Sequence, residues 1–156
     1  MPLGPSRLIV GWQEWVSLPE LGLPALKAKF DTGAKTSALH TSFIEAFGSP
    51  AHRKVRFWVQ PWRNAADLKV AAVADVIDQR EIVSSNGVRE MRYVISTLLC
   101  IAGRQWPIEV TLTDRSCMSS RMLIGRQGIP PDVLVDCASK FRQPRLNYRL
   151  YGQRQL

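Results

Sequence analysis

Long apolar runs are missing from this sequence. No stretch of about 18 consecutive apolar residues occurs, which excludes a membrane-spanning helix. Histidine is scarce: only His40 and His52 are present, and neither belongs to a His-Glu-x-x-His pattern. The three cysteines, Cys100, Cys117 and Cys137, are odd in number and widely spaced, which fits reduced, mostly buried thiols better than a disulfide framework. Cys100 lies in an apolar run and reads as a small core residue. A cysteine nucleophile needs an adjacent base or cationic site, and no such pairing is visible. A Gly-rich phosphate loop ending in Lys-Ser/Thr is absent, as are zinc-finger spacings and the aromatic motif of RNA-binding sheets. The segment Met1-Pro2-Leu3-Gly4-Pro5 lacks a charged region followed by an apolar one, so the expectation is a cytoplasmic chain without a signal peptide.

What is present suits one globular domain. The chain has 156 residues, 46% of them hydrophobic and 22% charged, enough apolar content to build a core. The net charge is +8. No acidic residue follows Asp136, whereas Lys140, Arg142, Arg145, Arg149 and Arg154 do. That imbalance favours a polyanionic partner, be it nucleic acid, an anionic surface or an acidic peptide; the plainer reading is a solvated basic tail. The expected division is a domain over residues 7–140 followed by a basic C-terminal tail, 141–156.

Strand patterns dominate. Residues 7–16 alternate apolar and polar, Leu18-Pro19-Glu20-Leu21-Gly22 reads as a turn, and residues 23–30 alternate again, ending directly at Asp31. Residues 36–47 begin as a strand and suggest a short helical turn at their end. Val55, Phe57 and Val59 mark one face of a strand closed by Pro61. Two long β-rich stretches, 68–83 and 88–101, flank Ser84-Ser85-Asn86-Gly87, and Asn-Gly between such runs is a strong hairpin signal. Charged neighbours on both sides place its tip in solvent. Ala102-Gly103-Arg104 turns into a further alternating strand, 106–113, and Met122-Leu123-Ile124 is a short apolar run stopped by Gly125. Residues 129–135, broken by Pro130-Pro131, give a short turn and a last strand. The expected fold is all-β: a closed, barrel-like single domain with at most one short helix. Trp12, Trp15, Trp58, Trp62 and Trp106 fall mostly in these strands and read as core or interface packing.

One loop carries recognisable chemistry. An apolar strand (Leu26, Ala28, Phe30) runs into Asp31-Thr32-Gly33-Ala34, and far downstream stands Met122-Leu123-Ile124-Gly125-Arg126. Glycine after Asp-Thr allows tight curvature and close approach of main-chain N–H groups to the carboxylate. Together the two segments, in this order and with an Asn-Gly hairpin between them, resemble the retropepsins, the single-domain aspartic peptidases of retroviral type. The blocks Gly11-Trp12, Leu18-Pro19-Glu20-Leu21, the run from Lys29 through Asp31 to His40, and Leu123-Ile124-Gly125-Arg126 resemble more closely a bacterial group often labelled "ATP-dependent zinc protease", which is associated with ATP-grasp glutamate ligases.

The resemblance implies a catalytic Asp31 with Thr32 and Gly33 shaping its loop, and a flap at Ser85, Asn86 and Gly87 closing over substrate. Because aspartic catalysis uses two carboxylates and no second Asp-Thr-Gly occurs, it also implies a homodimer. The zinc and ATP of the group's label find no matching motifs, so neither metal nor cofactor is expected; the remaining route to zinc is convergence of His40, His52 and a carboxylate. His40 reads as a structural, hydrogen-bonded residue. Retroviral members carry an acidic residue after Asp-Thr-Gly-Ala, paired with the arginine of the later segment. Here Lys35 stands in that place, so Arg126 must find another anion: a structural acid such as Asp114, or the substrate. The second option, with the net charge, points to an acidic, Glu-rich peptide or tail contacted by Ala34, Lys35 and Arg126. The alternatives are a catalytically silent dimeric barrel that binds RNA or a ribosomal surface, and a zinc metallopeptidase.

Overall fold

The computed structural model describes residues 7–83, 86–114 and 120–152. Twelve strands occur among them in chain order: β1 (Leu8–Gly11), β2 (Gln13–Leu18), β3 (Leu23–Phe30), β4 (Ser37–His40), β5 (Ser42–Ser49), β6 (His52–Val59), β7 (Val70–Asp75), β8 (Asp78–Val83), β9 (Arg89–Ile101), β10 (Arg104–Thr113), β11 (Met122–Ile124) and β12 (Val133–Asp136). One short helix, α1 (Arg149–Gly152), follows. The protein is all-β, as the alternating pattern implies.

Six strands pair in a closed circuit. β2 and β3 form an antiparallel hairpin, β3 pairs in parallel with β11, and β11 runs antiparallel to β4. β4 pairs in parallel with β10, β10 is antiparallel to β9, and Cys100 of β9 returns to Ser17 of β2. β8 extends this ring-like sheet outward from β9. A three-stranded sheet (β5, β6, β7) and a parallel pair (β1, β12) complete the structure. Leu18, Leu23, Leu26, Ile95, Leu99, Leu112, Met122 and Ile124 are fully buried inside it, each worth roughly 1.5–3 kcal/mol of apolar burial. On β6, Val55, Phe57 and Val59 are buried and alternate with exposed neighbours, the period of two that a half-buried strand requires.

The turns follow local chemistry. Pro19–Leu21 forms a 3-10 turn closed by the Gly22 N–H on the Pro19 carbonyl, with Gly22 at φ +73°. Ala102 and Gly103, both at positive φ, join β9 to β10 in the manner of a two-residue hairpin.

Several expectations need correction. The helical turn anticipated near residue 47 is absent: β5 continues to Ser49, with a register shift between Ser42 and Glu45 and Phe43 at φ +50°. The long stretch 68–83 is two strands, β7 and β8, which belong to different sheets. Cys100 is half-buried and Cys137 exposed; Cys117 lies outside the described residues. Of the tryptophans read as core or interface packing, Trp15 is in the core and Trp58 and Trp62 lie at the surface, a placement that leaves the interface reading standing.

Residues 141–152, set apart in sequence by their charge, dock against the sheet. The Phe141 N–H bonds the Gln13 carbonyl, and the Arg142 and Gln143 amides bond the buried Glu14 carboxylate. The buried Tyr151 hydroxyl donates to the Ala25 carbonyl and accepts the Ala25 N–H.

Candidate active site

The loop at Asp31 is built where β3 and β11 end side by side. The Phe30 N–H donates to the Trp12 carbonyl, and the Asp31 N–H donates to the Ile124 carbonyl at 2.9 Å, which carries the parallel pairing to the last residue of β11. The chain then turns: the Ala34 N–H reaches back to the Asp31 carbonyl at 3.2 Å. Inside the turn the Gly33 N–H donates to Asp31 Oδ1 at 2.9 Å. A Cβ on Gly33 would stand 3.2 Å from that oxygen, so glycine keeps the approach open. Asp31 is half-buried, and Thr32 and Gly33 are exposed at the loop's crest.

The downstream segment straps this loop. The Arg126 N–H donates to the Ala34 carbonyl at 2.8 Å, and the Gln127 N–H to the Lys35 carbonyl at 3.1 Å. Arg126 Nη1 donates to the Thr32 carbonyl at 3.2 Å. Gly125 passes so close that a Cβ there would stand 2.5 Å from the Thr36 carbonyl oxygen and 2.8 Å from its nitrogen. Its own N–H donates to the buried Ser37 Oγ at 3.1 Å. Asp31, Thr32, Gly33, Ala34, Lys35 and Arg126 are thus one hydrogen-bonded unit formed from two distant pieces of chain.

Lys35 and Arg126 are both exposed. Among the described residues the ion pairs use Lys54, Arg56, Arg80, Arg89, Arg92, Arg104 and Arg142. Arg126 is turned to the Thr32 carbonyl, not to Asp114. Asn86 and Gly87 stand exposed at the tip of the β8–β9 hairpin, where Val83 faces Arg89 and Gly87 has φ +83°; Ser85 lies outside the described residues. Among the described residues no group of three or more His, Cys, Asp or Glu side chains is arranged to hold a metal ion.

A buried polar chain under the loop escaped the sequence reading. Thr111 Oγ1 donates to the Ser37 carbonyl, and Arg92 Nη1 donates to Thr111 Oγ1. Arg92 Nε donates to Glu90 Oε2 at 2.9 Å, and the Thr113 hydroxyl also donates to Glu90. These residues link the base of the Asp31 loop to β9, the strand that carries the hairpin tip. Each is unremarkable in the sequence, and only the β4–β10 and β9–β10 pairings bring them together.

A β-ring in which an Asp-Thr-Gly loop is strapped by a Gly-Arg segment is the arrangement that the resemblance to retropepsins implies, with one such carboxylate per chain. The model of the RimB-like family, described as "Retropepsin-like aspartic endopeptidase RimB", matches residues 9–146, and the chain belongs to that family. A protein of Shewanella pealeana named "Probable alpha-L-glutamate ligase" is 39% identical over 136 residues, covering 87% of this chain and 30% of its own length. One of the same name from Parasynechococcus marenigrum is 44% identical over 130 residues, covering 83% of this chain and 28% of its own. The chain therefore spans less than a third of the curated relatives it matches. A crystal structure of a Legionella pneumophila protein of unknown function superposes with a TM-score of 0.73 at 27% identity, over 88% of this chain and 98% of that one. No helix among the described residues is long and apolar enough to cross a membrane.

Proposed function

We propose that this protein is an aspartic endopeptidase that acts as a two-fold homodimer, with Asp31 of each copy meeting over one water. The observation that carries the reading is the Asp31 carboxylate itself. It is held by the Gly33 N–H on a partly open loop, strapped by Gly125 and Arg126, in a chain of a retropepsin-like family. A single chain supplies one such group, and the mechanism uses two.

Two carboxylates about 3 Å apart do not both ionise, so the pair shares a proton. The ionised member takes a proton from the water as its oxygen attacks the scissile carbonyl carbon. The protonated member donates a hydrogen bond to the carbonyl oxygen. Collapse of the tetrahedral intermediate breaks the C–N bond, with the proton delivered to the leaving amine. Exposed Thr32 would brace one loop against the other across the two-fold axis, and the hairpin with Ser85, Asn86 and Gly87 would close over the substrate.

The substrate is an acidic, Glu-rich peptide or tail. Lys35 and Arg126 stand exposed beside Asp31, and the chain carries a net +8, a setting in which guanidinium and ammonium groups read carboxylates. The relatives named as glutamate ligases support a functional link to such an enzyme. Roughly seven tenths of their length has no counterpart here, so ligation is not assigned to this segment. A ligase partner using ATP would place the reaction in the cytoplasm.

The test is Asp31→Asn. Turnover of a Glu-rich peptide should vanish while the circular dichroism spectrum and unfolding midpoint stay close to wild type; a variant that still cleaves sinks the reading. Sedimentation in the presence of the peptide should show the dimer.

A further inference from the structure

A second cationic feature lies on the strand that delivers Asp31. A cavity of about 490 Å³ opens between Gln13 of β2, Lys27 of β3, Arg121 just before β11, Trp62 and Arg63 of the loop after β6, and Tyr148. Among the described residues three cations face it, and no carboxylate lines it. Its walls are fixed. The Lys27 ammonium sits 5.2 Å from the Trp15 ring centroid and 5.8 Å from that of Phe141. Trp62 stacks on Tyr148 at 4.8 Å with 11° between planes, and Tyr148 meets Trp15 edge-on at 4.9 Å. Arg121 is only 8% exposed. Burial and then the like charge of Arg63 push its guanidinium below its ordinary value, a repulsion that an anion between them would relieve.

The cavity is aligned with the candidate active site. Lys27 and Lys29 of β3 and Asp31 just past its end follow at steps of two, the two lysines on the face opposite Ala28 and Phe30, which are buried. Lys27 precedes Asp31 by four residues, about 13 Å of extended chain. We propose that this cavity is a carboxylate-binding subsite for an acidic substrate chain, taking a Glu or Asp side chain about four residues from the bond cleaved at Asp31. It rests on the acidic-peptidase reading above and extends the substrate contact away from the cleaved bond. A peptide suits it better than nucleic acid. The three cations converge on one cavity, and the adjoining cavity across Trp62 carries Asp67 beside Arg145 and Arg149, which interrupts the cationic track that successive phosphates require.

Arg63 is exposed, so Arg63→Glu leaves the core untouched. The probe is a fluorescein-labelled glutamate decapeptide bound to full-length protein carrying Asp31→Asn. Adding Arg63→Glu should weaken binding on the order of tenfold. In the active enzyme the same change should raise KM for the decapeptide with kcat kept, and leave KM for a four-residue Glu peptide unchanged. Lys27→Gln, a second variant outside the core, should act in the same direction. Undiminished decapeptide affinity and KM in both variants overturns the subsite while leaving the peptidase reading intact. Tighter binding of a labelled uridine decanucleotide than of the peptide at equal ionic strength also overturns it. A wild-type protein that binds the decapeptide through Arg63 but never cleaves it supports the subsite and overturns the peptidase reading instead.

Discussion

Glu14 Oε2 accepts the Arg142 N–H at 2.8 Å, across 128 positions of sequence. The same oxygen takes the Gly11 N–H at 2.7 Å, and Oε1 takes the Gln143 N–H at 3.1 Å. Glu14 is wholly buried, so its carboxylate relies on these three backbone donors in place of water. Glu14→Gln exchanges a charged acceptor for an amide whose NH2 group cannot accept, and should destabilise by about 1–3 kcal/mol. Urea unfolding measures this, and amide exchange should quicken first at Arg142 and Gln143; unchanged protection there would separate Glu14 from the docking of residues 141–152.

Gly125 gives a sharper structural test. A methyl group there collides with backbone atoms of Thr36 at 2.5–2.8 Å, and backbone yields less readily than a side chain. Gly125→Ala should cost about 1–3 kcal/mol, the range for overpacking, and should loosen the Asp31 loop. Gly152→Ala, whose added methyl meets no described residue within 4 Å, is the matched control and should stay within about 0.5 kcal/mol of wild type. Equal midpoints for the two variants would contradict the close passage.

Lys35 offers a test of substrate charge. Lys35→Glu reverses an exposed charge beside the loop, so solvent screens much of the effect. The ratio of kcat/KM for a Glu-rich peptide to that for its Gln-rich counterpart should fall roughly three- to tenfold, and the wild-type ratio should shrink as salt rises. A ratio unchanged by both would remove Lys35 from recognition.

Acid should expose the role of Asp136. The Ala138 N–H, the Ser139 hydroxyl and Arg142 hold its carboxylate below the ordinary value of 3.8. A depressed value in the folded state means the contribution is complete above the unfolded value and is lost as pH falls through the folded one. The stability gap between wild type and Asp136→Asn should therefore be steady from pH 7 to about 5 and close below about 4. Unfolding midpoints of the two proteins across that range decide it.

Much of this architecture is legible in sequence where the signal is local. The bounds of β3 are readable because its alternation begins after Gly22 and stops at Asp-Thr-Gly; β6 is readable from Val55, Phe57 and Val59. The Asp31 loop and the Gly125–Arg126 segment are likewise short contiguous motifs. What escapes is non-local. A glutamate on a strand reads as solvent-facing, and nothing near Glu14 announces partners at 142 and 143. The parallel pairing of β1 with β12 joins the two ends of the domain without a hairpin turn to signal it. The positive charge of residues 141–152 hides Tyr148 and Tyr151, whose rings anchor that segment. Phe43 at positive φ and the register shift in β5 have no residue-type signature, so the continuation of that strand reads as a turn.

The position of β11 has a consequence for the newborn chain. β3 and β4 flank the Asp31 loop, yet they are held together through β11, which is wedged between them. During synthesis the loop leaves the ribosome well before residues 122–126, with its hairpin partner β2 already available. Its strap does not exist until Ile124, Gly125 and Arg126 have been made. Ring closure of this kind depends on distant pairings and is slow by nature. The site is therefore among the last parts to set, and a chain stalled before Met122 carries the Asp31 loop without the segment that gives it shape.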